Sequence, residues 1–128
     1  MRVFKNKSFA RFARKARLSD ATLCEAVRNA ARGLIDADLG GGVIKQRIAR
    51  SGGGKSGGYR TIILFRIGAR AFFVHGFAKN ERDNIDGHEL AAFKLLAAHV
   101  LAYDEAALVK AIAAGVFVEV KCDDQTIS

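Results

Sequence analysis

The hydrophobic period of this chain changes twice, and that pattern restricts its fold more than any single motif does. Over residues 8–16 the apolar positions Phe9, Phe12, Ala13 and Ala16 recur at helical spacing, with Arg11, Arg14 and Lys15 turned away from the stripe. Ser19 is a good N-cap for a second helix whose buried face holds Leu23, Val27, Ala30 and Leu34. Gly33 loosens its last turn, and Gly40-Gly41-Gly42 ends the helical region. From Val43 the pattern becomes an alternation: residues 43–50 put Val43, Lys45, Arg47 and Ala49 on one face and Ile44, Gln46, Ile48 and Arg50 on the other. Residues 59–67 and 71–78 are two further strand-like runs, and Gly68-Ala69-Arg70 is short enough for an antiparallel hairpin between them. From about Arg82 the helical period returns through Ile85, Leu90, Phe93, Leu96, Ala97 and Val100. A helix over 104–113 and an apolar run over 116–120, readable as an edge strand or a docking strip, complete the chain. With a short strand over residues 2–5 in front, the pattern predicts an α+β fold. Its order is an N-terminal strand, a helical hairpin, a small antiparallel sheet and C-terminal helices, with the helices gathered on one face of the sheet.

A length of 128 residues is one domain's worth, and a hydrophobic half is enough for a core without disulfide or metal staples. The two cysteines, Cys24 and Cys122, stand far apart with no third ligand nearby, which reads as reduced thiols rather than a disulfide or a zinc site. The first residues lack the apolar stretch of a signal peptide, and no run of about 18 apolar residues exists, so the expected location is the cytoplasm, with no membrane partner.

The formal charge of +8 has an address. Residues 1–60 hold 14 basic and 4 acidic side chains, whereas the remainder is slightly acidic. Between residues 43 and 60, Lys45, Arg47, Arg50, Lys55 and Arg60 occur with no acid at all. Like charges this dense repel unless an anion sits among them, and the excess argues for a polyanionic partner.

Several familiar chemistries fail on spacing. Gly54-Lys55-Ser56 matches the end of a phosphate loop, but Ala49 stands where the motif needs glycine. The segment also leads into a strand rather than a helix N-terminus, so nucleotide triphosphate binding is rejected. His88-Glu89 lacks the second histidine of a zincin helix, His75 in an apolar strand reads as a structural residue, and Asp83 and Asp86 read as first-turn helix acids. No cofactor and no metal are expected. What remains is Lys45 and Arg47 on one strand face, Arg60 at the start of the next strand and Lys79 at the end of the third. If the strands pair antiparallel in chain order, these cations share one face and can hold a phosphodiester, with Tyr59 available to stack a base. RNA supplies its own nucleophile, the 2′-hydroxyl. A lysine among other cations gives up its proton more readily, and arginine stabilises the phosphorane charge.

The segments Lys45-Gln46-Arg47, Arg50-Ser51, the glycine loop, Gly58-Tyr59-Arg60-Thr61-Ile62-Ile63 and Phe73 through Lys79-Asn80-Glu81-Arg82 together resemble the RelE/HigB family of bacterial type II toxins, within the RelE/ParE superfamily. The resemblance is strongest over residues 43–90. The order of elements extends it to a toxin domain over 1–100, with 101–128 as a helix and short strand added to the same domain. It implies the RelE-like microbial RNase fold and a ribosome-dependent, metal-independent endoribonuclease, an mRNA interferase that cuts translated mRNA. It also implies inhibition by a cognate antitoxin, expected to be of helix-turn-helix type. Lys45 and Arg47 match the paired cations of the family's strand, and Arg60 matches its G-Y-R arginine. With Lys79 these form the expected catalytic set, and Arg50, Lys55, Tyr59 and Arg82 the expected RNA-binding set. The chain departs from RelE proper at Asn80, where an arginine is usual, and near Asp86, where a tyrosine is usual. Lys79, Arg82 and Tyr59 are the substitutes by proximity, and the general acid stays unassigned. The competing readings are a ParE-like toxin that inhibits DNA gyrase and a non-catalytic basic RNA-binding module.

Overall fold

The computed structural model describes residues 1–49, 58–79 and 85–122. The elements run β1 (Arg2–Asn6), α1 (Lys7–Ala16), α2 (Asp20–Ala31), β2 (Ala37–Gly40), β3 (Val43–Ile48), β4 (Tyr59–Arg66), β5 (Arg70–Ala78), α3 (Gly87–Val100), α4 (Glu105–Ala113) and β6 (Phe117–Val120). This is the α+β architecture expected, with an N-terminal strand, two helices, a six-stranded sheet and C-terminal helices. The sheet order is β2-β3-β4-β5-β1-β6. The three central strands pair antiparallel in chain order as anticipated, but β1 joins β5 in parallel, so the sheet is mixed.

The helices do not gather on one face. Phe9, Ala13, Leu23, Val27 and Ala30 from α1 and α2 pack on Val3, Ile44, Ile48, Ile63 and Phe73. On the opposite face Ala97, Val100 and Leu108 from α3 and α4 pack on Phe4, Val43, Ile62, Leu64 and Phe72. The reason is visible in β4, where Ile62, Ile63 and Leu64 are all fully buried. A strand apolar on both sides needs cover on both, each side chain of this size contributing about 1.5–3 kcal/mol when buried. Within the helical pair, α1 lies on β5 and β1, and α2 on β3 and β6, so each helix packs mainly on the sheet rather than on the other.

Local chemistry sets the element ends. Asn6 and Ser19 cap α1 and α2 by accepting from the Phe9 and Thr22 backbone N–H groups. Asp86 and Glu89 form a reciprocal capping box on α3, the helix-start role anticipated for Asp86. Gly40, Gly41 and Gly42 all have positive φ (85°, 62° and 83°). They form the tight β2–β3 turn rather than merely ending a helical stretch. Gly76 matters through size, because a Cβ there would lie 2.4 Å from the Phe12 ring.

Cys24 and Cys122 are joined in a disulfide, with Cα atoms 5.7 Å apart, which corrects the reading of two reduced thiols. Separation along the chain says nothing about separation in space. β6 pairs antiparallel with β1 at the sheet's edge, and its end runs beside α2, where Cys24 waits buried. The run at 116–120 is thus an edge strand in the described structure. Among the described residues no helix is long and apolar enough to cross a membrane.

Candidate nucleic-acid interface

The register of β3 against β4 assembles the basic face. Arg47 is directly opposite Arg60, Lys45 is opposite Ile62, and Val43 is opposite Leu64. Directly opposed residues in an antiparallel pair project to the same side. Lys45, Arg47 and Arg60 therefore share the face on which α3 packs, beyond the end where Val43 and Leu64 meet that helix. β2 pairs with β3 only as far as Lys45, so among the described residues the strand beyond Lys45 is an outer edge of the sheet. Arg47 stands exposed on that edge. Two grooves of about 590 and 410 Å³ run along it, between the end of β3 and α2 and between β3 and the chain at 33–36, and Arg47 and Asn29 line both.

Arg60 is the unusual member. It is 5% exposed, and its Nη1 is buried without a hydrogen-bond partner among the described residues. Its ionic partner is Asp36, whose Oδ2 lies 3.6 Å from Arg60 Nε and 3.9 Å from Lys45 Nζ. Asp36 is itself placed by Gln46, which lies between Lys45 and Arg47 on β3 and points to the opposite, α2-covered face. Gln46 Oε1 accepts the Asp36 backbone N–H at 3.0 Å, while Nε2 donates to the Ala26 and Leu34 carbonyls at 3.0 and 2.9 Å. The acidic group was not anticipated. The available signal was that Asp36 is one of only four acids in the first 60 residues, just ahead of the basic strand.

Lys79 follows β5 and is exposed; its backbone N–H donates to the Gly58 carbonyl, which ties it to the start of β4. Phe77 is opposite Arg60, so the alternation carries Lys79 toward the same face. Tyr59 does not join them. As the neighbour of Arg60 on a strand it faces the other side, where its ring meets Phe12 of α1 edge-on at 5.5 Å. A base stacked on Tyr59 would lie across the sheet from Arg60, which corrects the expectation that the two act on one face. Arg50, Lys55 and Arg82 lie outside the described residues. His75 packs between the Phe77 and Phe93 rings, each 5.7 Å away.

This arrangement is suited to anions. Two cations and a buried guanidinium on one sheet face, with an open strand edge beside them, can bind a phosphodiester by charge and by directed N–H groups. Compared with curated proteins, the chain has no match. A family model described as the RelE toxin of the RelE/RelB toxin–antitoxin system matches residues 1–120, a span that runs from β1 to the end of β6. The chain belongs to the RelE toxin family of toxin–antitoxin systems.

Proposed function

We propose that this toxin is a ribosome-dependent, metal-independent endoribonuclease that cleaves translated mRNA in the cytoplasm. The observation that carries the reading is the shared face of Lys45, Arg47 and Arg60, with a buried Nη1 on Arg60 that has no acceptor among the described residues. The 2′-hydroxyl attacks the adjacent phosphorus and the bond to the 5′-oxygen breaks, leaving a 2′,3′-cyclic phosphate and a 5′-hydroxyl. In this scheme Lys45 or Arg47 handles the proton leaving the 2′-hydroxyl, Arg60 stabilises the charge building on the phosphoryl oxygens, and Lys79 supports the departing oxygen. A cognate antitoxin of helix-turn-helix type would neutralise the toxin by laying an acidic segment over this basic half of the chain.

Induced expression followed by primer extension on cellular mRNA tests the reading. Codon-linked cuts are expected with the wild-type chain and none with Arg60→Ala, which should remain folded and lose toxicity. Growth arrest without such cuts overturns it, and supercoiling defects would point to gyrase instead. A folded Arg60→Ala protein with full toxicity would show that the site lies elsewhere.

A further inference from the structure

We propose that Asp36 is a built-in counter-ion of this face, holding Lys45 and Arg60 in the place of a phosphodiester and yielding them when one binds. The proposal rests on the reading of the face as an RNA phosphate site, and three observations support it. First, the position of Asp36 is imposed: the buried Gln46 grips its backbone N–H and the Leu34 carbonyl two residues earlier, so the carboxylate is delivered to the cations by the fold. Second, a single oxygen serves both cations, at 3.6 Å from Arg60 Nε and 3.9 Å from Lys45 Nζ. These separations neutralise charge but are too long for hydrogen bonds. Third, Arg60 Nη1 is buried and has no acceptor among the described residues, a condition that is ordinarily unfavourable.

The cluster is therefore balanced in charge and unsatisfied in hydrogen bonding. A phosphate offers what the carboxylate does not, namely several oxygens that can approach a guanidinium to about 2.7–2.9 Å. Once it binds, Asp36 becomes a like charge beside it. The Asp36 side chain keeps 24% of its surface in solvent, so it has a route outward. In the free protein the same carboxylate limits the mutual repulsion of Lys45 and Arg60 and makes the face less indiscriminate toward polyanions.

Fluorescence anisotropy with a short 2′-O-methyl single-stranded RNA, which cannot be cleaved, compares the wild type with Asp36→Asn and Asp36→Glu. The asparagine keeps the backbone N–H that Gln46 holds and removes only the charge. Asp36→Asn should bind about tenfold more tightly at low salt. Its plot of log affinity against log salt should be steeper by about 0.7, the slope of one added phosphate contact. Asp36→Glu should stay within about twofold of wild type, since the charge is retained. Equal or weaker binding by a folded Asp36→Asn, or an unchanged slope, overturns the proposal. A measurement on the wild type alone covers the case in which the variant fails to fold: the Asp36 carboxyl carbon and Arg60 Nε–H resonances should both shift as the RNA is added, and an Asp36 signal that stays put overturns the proposal. Wild-type protein that passes these tests but cuts no mRNA fails the nuclease reading and leaves the counter-ion standing. Wild-type cleavage without tighter binding by Asp36→Asn does the reverse.

Discussion

The two sides of β4 follow different rules. Toward α1 and α2, Thr61 and Ile63 are buried, Phe65 packs against the same core and Tyr59 sits edge-on to Phe12, so the whole strand is covered. Toward α3, Leu64 and Ile62 are equally buried, but the next residue on that side is Arg60, facing Arg47 across the pair. The first side is sealed by shape: Gly76 gives the Phe12 ring room, and Thr61 Oγ1 donates to the Gln46 carbonyl, so even the polar residue there is satisfied within the protein. The second side ends in a guanidinium whose Nη1 finds no partner among the described residues. A strand can be apolar and complete on one face and deliberately incomplete at one end of the other, because successive side chains alternate and each face is a separate environment.

Substitutions test that contrast, and the largest effect on stability is expected on the sealed side. Phe73→Ala removes a fully buried ring in contact with Phe9, at 4.9 Å between centroids, and should lower the unfolding free energy by about 3–5 kcal/mol in denaturant titration. Arg60→Ala should cost about 1–3 kcal/mol, less than the ring, since it breaks the long ion pair with Asp36 but also removes an Nη1 that has no acceptor among the described residues, and it should abolish toxicity. Equal destabilisation by the two would erase the distinction between the faces. Gln46→Leu strips three hydrogen bonds and leaves the Asp36 N–H and the Leu34 carbonyl without their side-chain partner, so about 2–3 kcal/mol of stability should go in the same titration. Because the bonds hold Asp36 in place, this variant should also alter RNA binding from the sealed side of the sheet.

The smallest effect belongs to the far edge. Arg2 donates from Nε and Nη2 to the two oxygens of Glu119, and these bonds hold the Glu119 carboxyl below its ordinary range. A depressed carboxylate contributes stability above its unfolded value of about 4.3 and loses that contribution as the pH falls through the lower folded value. Both side chains keep more than a third of their surface in solvent, so Arg2→Met should cost less than about 1 kcal/mol at pH 7 and nothing near pH 2, measured by urea unfolding at both.

Much of the fold was legible because it is written in short-range patterns. The stripe of Phe9 and Ala13, the Ser19 cap, the alternation around Lys45 and the Asp86 helix start all appear where spacing put them. β2 was not legible: four residues, Ala37–Gly40, give no period, and the glycines after it looked like a terminator rather than a turn. The cations Lys45, Arg47 and Arg60 could be grouped from strand alternation and chain-order pairing alone. Tyr59 was grouped with them by adjacency in sequence, which on a strand means opposite faces.

Asp36 and the Cys24–Cys122 bond could not be read in this way. Asp36 meets Arg60 across 24 positions and Cys24 meets Cys122 across 98, and neither distance follows from any local period. The sequence by itself determined most of the elements, the Ser19 cap and the location of the charge, because each depends on residues within a few positions of one another. Only the tertiary structure decided which residues meet: the helices divided between two faces, the disulfide beside α2, and a carboxylate set between two cations. Those contacts depend on how the strands order themselves in the sheet and on the course the chain takes around its edge, and this long-range geometry is fixed by packing rather than by any neighbour in the chain.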